Sequence, residues 1–128
     1  MKGTLVPLVM IPRFTSYVGP GTYVTVPLPV AGFSEVAIEF WRGELLGGST
    51  PVTPATFEAF FEEAHEAEST EWIKFNSVAI TADGVGLYKY SLTRRYFRMR
   101  IVLTADIDYY CAITCWASGS LVQRVAGD

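Results

Sequence analysis

The chain has 128 residues, 50% of them hydrophobic and 18% charged, which is enough material for one domain with one core. Its 10 basic and 13 acidic side chains leave a formal charge of -3, without the clustered positive face that nucleic-acid binding requires. The apolar run Leu5 to Ile11 is interrupted by Pro7 and closed by Pro12, far short of the roughly 20 residues of a membrane-spanning helix, so no membrane role is expected.

The same prolines, with Arg13, spoil a signal-peptide reading, and the N-terminal segment is taken as part of the fold. Thr4 to Ile11 is β-branched enough for a strand, and Pro7, which cannot donate to a ladder, places it at an edge or a bulge. Gly19, Pro20 and Gly21 mark a turn. Thr22 to Leu28 then alternates until Pro27 and Pro29 stop it. Beyond Gly32, Val36, Ile38 and Phe40 form one face of a strand, and Glu35, Ala37, Glu39 and Trp41 form the other; the first is core and the second mostly wet. Gly43 to Pro54 reads as a long loop.

Residues 54–66 admit two readings. Thr53 as a cap, Pro54 at the first helical position, and Phe57, Phe60, Phe61 and Ala64 at helical spacing describe a short helix. Phe57, Ala59 and Phe61 also alternate, and the neighbours on both sides are strands, so a strand over Thr56 to Glu63 stands beside the helix as its rival.

Glu71 to Thr81 is the next strand candidate, with an irregularity at Asn76 and Ser77. Asp83 and Gly84 supply a turn, after which Tyr88, Tyr90 and Leu92 share a face. In Arg94 to Thr104, Phe97, Met99, Ile101 and Leu103 point inward and Arg98, Arg100 and Val102 outward, a half-buried strand that is expected to hold the last strand in place. A short turn at Ala105 to Asp108 leads to that last strand, Tyr109 to Ala117. It is apolar on both faces, with Tyr110, Ala112, Thr114 and Trp116 on one of them, and it ends at Gly119; Leu121 to Val125 either continues it or forms a tail. The pattern predicts an all-β, single-domain antiparallel β-sandwich over residues 1–128, jelly-roll-like, with about eight strands.

The chemistry is sparse. Cys111 and Cys115 stand about 13 Å apart along a strand, beyond disulfide reach, and the lone His65 completes no metal set, so buried free thiols and no metal or cofactor are expected. Glu58, Glu62, Glu63, Glu66, Glu68 and Glu71 form the one carboxylate concentration. Without the Asp and Asn pattern of a calcium loop they read as a solvated face, although a facing pair could serve glycoside hydrolysis. Gly47 and Gly48 precede Ser49 and Thr50 without the lysine of a phosphate loop, and no nucleophile elbow occurs, so no enzymatic activity is expected. Arg94, Arg95, Arg98 and Arg100 read as partners of glutamates. Trp41, Trp72 and Trp116 could stack on sugars, but core or subunit interface is the commoner use of such rings. Trp41, Tyr110 and Trp116 are therefore the candidate partner surface.

Glu62-Glu63, Ser69-Thr70-Glu71-Trp72, Gly86-Leu87-Tyr88-Lys89-Tyr90-Ser91-Leu92, Arg95-Tyr96-Phe97-Arg98-Met99-Arg100-Ile101 and Cys115-Trp116-Ala117-Ser118-Gly119 together resemble a pattern in small β-sandwich virion proteins of tailed bacteriophages and gene transfer agents. The resemblance covers Phe57 to Arg124, and it implies a strand in the segment before Trp72, which favours the strand over the helix for Thr56 to Glu63. It implies a non-enzymatic structural protein, a capsid decoration, head-completion or accessory component, located in the virion after assembly in the host cytoplasm. The implied partners are capsid or other virion proteins and further copies of the chain. The Arg-Tyr-aromatic-Arg strand also occurs in discoidin-like carbohydrate-binding sandwiches, so a carbohydrate-binding β-sandwich module is the alternative reading.

Overall fold

The computed structural model of the protein describes residues 4–47, 55–106 and 110–124. Within them ten strands form: β1 (Leu5–Gly19), β2 (Gly21–Val24), β3 (Leu28–Pro29), β4 (Phe33–Arg42), β5 (Leu46–Gly47), β6 (Thr56–Ala64), β7 (Ile73–Lys74), β8 (Gly84–Ser91), β9 (Tyr96–Thr104) and β10 (Cys111–Gln123). They make two antiparallel sheets, one ordered β1-β10-β4-β8 with β5 beside β10, the other β2-β9-β6-β7 with β3 beside β9.

The pairing runs from the outside of the chain inward. β1 pairs with β10, β2 and β3 with β9, β4 with β8, and β6 with β7. This is a long hairpin wound over into two sheets, the jelly-roll plan. The ten strands fill eight positions of that plan, because β2 and β3 share one place along β9 and β5 is a short addition. The interruption between β2 and β3 contains Pro27, which cannot donate to a ladder, while the Thr25 hydroxyl accepts from the Met99 N–H across the gap at 2.9 Å.

The strand reading of residues 56–64 holds, and the helix is excluded: Phe57, Ala59 and Phe61 face the core and pair in register with Leu103, Ile101 and Met99. Tertiary pairing overrides the local helical preference here. The proposed caps Thr53 and Pro54, the loop residues 48–52 and residues 107–108 of the turn at Ala105 to Asp108 lie outside the described residues, as does Tyr109. Between Glu71 and Thr81 only Ile73–Lys74 is strand. Between the backbone bonds of Phe75 to Phe61 and of Ile80 to Ala59, the Asn76 side chain fills the gap in the ladder, its Oδ1 accepting from Phe61 N at 2.8 Å and its Nδ2 donating to the Ala59 and Val78 carbonyls.

One expectation about the last strands is corrected. Gly119 does not end β10, which continues to Gln123; a Cβ at Gly119 would stand 1.8 Å from the Ala37 carbonyl oxygen, so glycine permits β10 and β4 to approach. β9 lies in the other sheet and bears on β10 from across the core rather than as a ladder neighbour. The core itself is as the alternation indicates: Phe97, Met99, Ile101 and Leu103 of β9 face Val36, Ile38 and Phe40 of β4 and Cys111, Ile113, Cys115 and Ala117 of β10. Both cysteines are free and buried, and burial pushes the Cys115 thiol up to about 12.

The glutamate run is not a uniformly solvated face. Glu62 and Glu63 are 2% and 5% exposed. Glu63 organises the turn between β8 and β9: its carboxylate accepts from the backbone N–H groups of Thr93 and Arg94, both at 3.0 Å, from the Thr93 hydroxyl at 2.7 Å, and from the Arg94 guanidinium at 3.1 Å. Glu62 receives Arg98 Nε at 2.9 Å and Arg100 Nε at 3.0 Å. Arg98 in turn covers the Trp72 ring, and Arg100 and Lys74 cover Phe60, so long side chains close over the carboxylate.

Candidate partner surface

The outer face of the β1-β10-β4-β8 sheet carries a run of uncovered apolar side chains, while Val24, Val26, Ile73 and Val78 are exposed elsewhere. β1 contributes Leu5, Pro7 and Val9, and β8 contributes Val85 and Leu87, 63% and 78% exposed. Between these two ridges the floor is made of small residues, Ala37, Ser118 and Ser120, flanked by Glu39 and Lys89. The ridges stand three strand spacings apart, roughly 14 Å. The result is a shallow trough of about 520 Å³. Its exposed apolar side chains amount to an area on the order of 400 Å² or more, the size at which a patch on a soluble protein reads as a contact surface.

Next to the trough, register brings two of the predicted residues together. Trp116 on β10 lies directly opposite Trp41 on β4, and their rings stack at 6.5 Å with an interplanar angle of 17°. Arg13 from β1 caps the pair, its guanidinium carbon 4.2 Å from the Trp116 ring centre. Tyr110 does not join them. It precedes the same strand and at strand rise stands about 20 Å from Trp116, an exposed ring near Val18 and Leu46, which both oppose Ala112. Trp72 is on the other sheet, with its Nε1 donating to the Ser69 carbonyl at 2.8 Å and Arg98 over its ring.

Sequence reasoning missed the most exposed aromatic of this surface. Between Ile11 and Thr15, β1 carries two more residues than β10 does between Ala117 and Cys115, a bulge closed by the Thr15 hydroxyl donating to the Pro12 carbonyl at 2.6 Å. The bulge turns Arg13 onto Trp116 and holds Phe14 at φ 67°, 91% exposed. Among the described residues it is the one non-glycine with positive φ. A bulky side chain in that region costs about 1 to 2 kcal/mol, and here no burial offsets it. The signal available in the sequence was Pro12 within an otherwise strand-like run, which marks an irregularity without saying which residue it presents.

Electrostatically the face is mixed rather than charged. Glu35 and Lys89 form an exposed pair at 3.5 Å, and Glu39 and Arg13 complete its ionic groups along β1, β4 and β8. On the inner side, burial raises the Tyr90 hydroxyl to about 12 and also raises Tyr17, the latter with smaller contributions from Cys115 and Tyr23. Among the described residues no three His, Cys, Asp or Glu side chains gather as a metal set. What the arrangement offers is contact area: a stacked indole pair, a protruding phenyl ring and two apolar ridges on one rigid sheet. No protein-family model matches the chain, and no curated protein matches it.

Proposed function

We propose that this is a non-enzymatic structural protein of a tailed-phage virion or a gene transfer agent, of the decoration, head-completion or accessory kind. It acts by self-association and by docking on other virion proteins through the outer face of the β1-β10-β4-β8 sheet. The observation that carries the reading is that face, with Trp41, Trp116 and Arg13 stacked beside a strained, solvent-facing Phe14. Strain kept at an exposed aromatic is expected where a partner uses the ring. The resemblance of the second half of the chain to small virion sandwiches points the same way, and jelly rolls recur in viral capsid proteins, a fold-level analogy that they share with lectins and cupins.

The test is quantitative mass spectrometry of purified particles and of assembly intermediates from the source strain. A fixed copy number per particle, reduced by Trp116→Ala or Phe14→Asp in a variant that still folds, is the expected result. Absence from particles and from every intermediate refutes it.

A carbohydrate-binding module is the second reading, supported by the hydroxyls of Ser118 and Ser120 and the Glu39 carboxylate in a trough beside an indole pair. A glycan array without hits removes it.

A further inference from the structure

A sandwich of two open sheets has four edges, and this one protects three of them. β1 carries Pro7, Pro12 and a bulge; the edge opposite β6 is split into the short strands β2 and β3 with Pro27 and Pro29 around them; β7 has only two residues. These are the standard means of blunting an edge. The fourth edge, β8, is eight residues long, without proline and without a register shift against β4. Among the described residues nothing pairs with its far side. Its single charge, Lys89, already meets Glu35.

The free groups on that edge can be identified. Leu92 N donates to the carbonyl of Ser34, the residue opposite it, at 3.0 Å, so this is a hydrogen-bonded pair of the β4–β8 ladder. Such pairs alternate along antiparallel strands. Even-numbered residues of β8 therefore turn their N–H and C=O groups to β4, and Val85, Leu87, Lys89 and Ser91 turn theirs to the open side.

We propose that the open edge of β8 pairs antiparallel with β8 of a second copy, about a twofold axis at Gly86, joining the β1-β10-β4-β8 sheets of the two copies into one continuous sheet across a dimer. This deepens the self-association part of the proposed function and rests on it. Pairing about Gly86 matches what the strand presents. Val85 of each copy lies opposite Leu87 of the other, uniting the two exposed apolar ridges. Asp83, exposed at the start of the strand, lies opposite Lys89 of the other copy, twice by symmetry. The axis falls on a non-hydrogen-bonded pair, the closest approach in an antiparallel ladder, and glycine occupies it; the Tyr88 hydroxyl lies 2.5 Å from where a Cβ of Gly86 would be. A pairing centred on Leu87 would instead set Lys89 against Val85 and leave Asp83 unmatched.

The test is sedimentation velocity of the full chain over a concentration series, with light scattering for mass. Wild type is expected to dimerise. Asp83→Lys places like charges opposite each other twice and weakens the dimer roughly tenfold, and the swap Asp83→Lys with Lys89→Asp restores it. Leu87→Pro removes an outward N–H while leaving the β4 ladder whole, so it abolishes the dimer and keeps the thermal unfolding transition. A dimer insensitive to Asp83→Lys and to Leu87→Pro overturns the inference; if Trp116→Ala dissolves that dimer instead, self-association through the outer face stands while the β8 pairing falls. A chain that stays monomeric at every concentration overturns both.

Discussion

Replacing Glu63 by glutamine changes one atom and tests whether a buried carboxylate fixes the turn into β9. The native carboxylate accepts four hydrogen bonds, two from backbone N–H groups of Thr93 and Arg94, one from the Thr93 hydroxyl and one from the Arg94 guanidinium. In Glu63→Gln the amide oxygen can still serve the two N–H groups on Oε1. The new NH₂ then faces two donors, the hydroxyl, which can rotate, and the guanidinium, which cannot. The loss is one charge-assisted bond, weakened by Arg94 being 31% exposed, and the ionic part of the other three. At about 1 to 2 kcal/mol for the first and several tenths for each of the others, the cost is about 2 to 3 kcal/mol. For a domain of this size that lowers Tm by roughly 6 to 12 °C. Thermal unfolding followed by circular dichroism reads it directly, with Glu66→Gln on the exposed part of the run as a control expected within about 0.5 kcal/mol of wild type. Equal midpoints for Glu63→Gln and wild type would refute the role given to this side chain.

Three further outcomes follow from the geometry. Phe14→Gly releases a bulky residue from φ 67° and should raise stability by about 0.5 to 1 kcal/mol while reducing particle binding; a lower Tm contradicts the strain. Gly119→Ala forces β10 away from β4 against the Ala37 carbonyl and should cost about 3 kcal/mol or prevent folding, measured by urea titration or soluble yield. Stability should also fall in alkali: the folded Cys115 thiol keeps its proton up to about 12 against an ordinary 9.0, so the stability attached to it is complete below about pH 9 and is lost as pH climbs towards 12, with Tyr90 adding to the loss above pH 10. Urea midpoints from pH 8 to 11 check the slope, and a thiol reagent at pH 8 should find neither cysteine until the chain is unfolded.

Much of the fold was legible because alternation is a local signal. Val36, Ile38 and Phe40, and Phe97, Met99, Ile101 and Leu103, are core for the reason that their spacing gives. What the spacing lacks is the partner. It could not say that β9 and β10 belong to different sheets, that Asn76 stands in for a stretch of ladder, or that Glu62 and Glu63 would be drawn inward by Arg98, Arg100 and the Thr93 turn. Gly119 looked like a stop because glycine usually ends a run, whereas here it answers a neighbouring carbonyl that no local pattern reveals. For the candidate surface, the alternation put Trp41 on the wet face of its strand and Trp116 on one of two apolar faces, but their juxtaposition depends on the β4–β10 register, and Phe14 depends on a bulge whose size only the pairing with β10 defines.

The outside-in pairing bears on how the molecule comes into being. Leu5 finds its partner at Val122, and Gly19 at Cys111, so every strand in between has been delivered before the first one has anything to pair with. Until then Val6, Leu8, Met10 and the inner stripe of β4 are uncovered. Closing loops of that length makes the search slow, and a sandwich paired in this way is expected to fold as a unit once β10 is available rather than piece by piece. Yield in a heterologous host should therefore respond to holdase chaperones and lowered temperature more than to codon choice, and a nascent chain stalled short of β10 should be degraded rather than accumulate as a folded fragment.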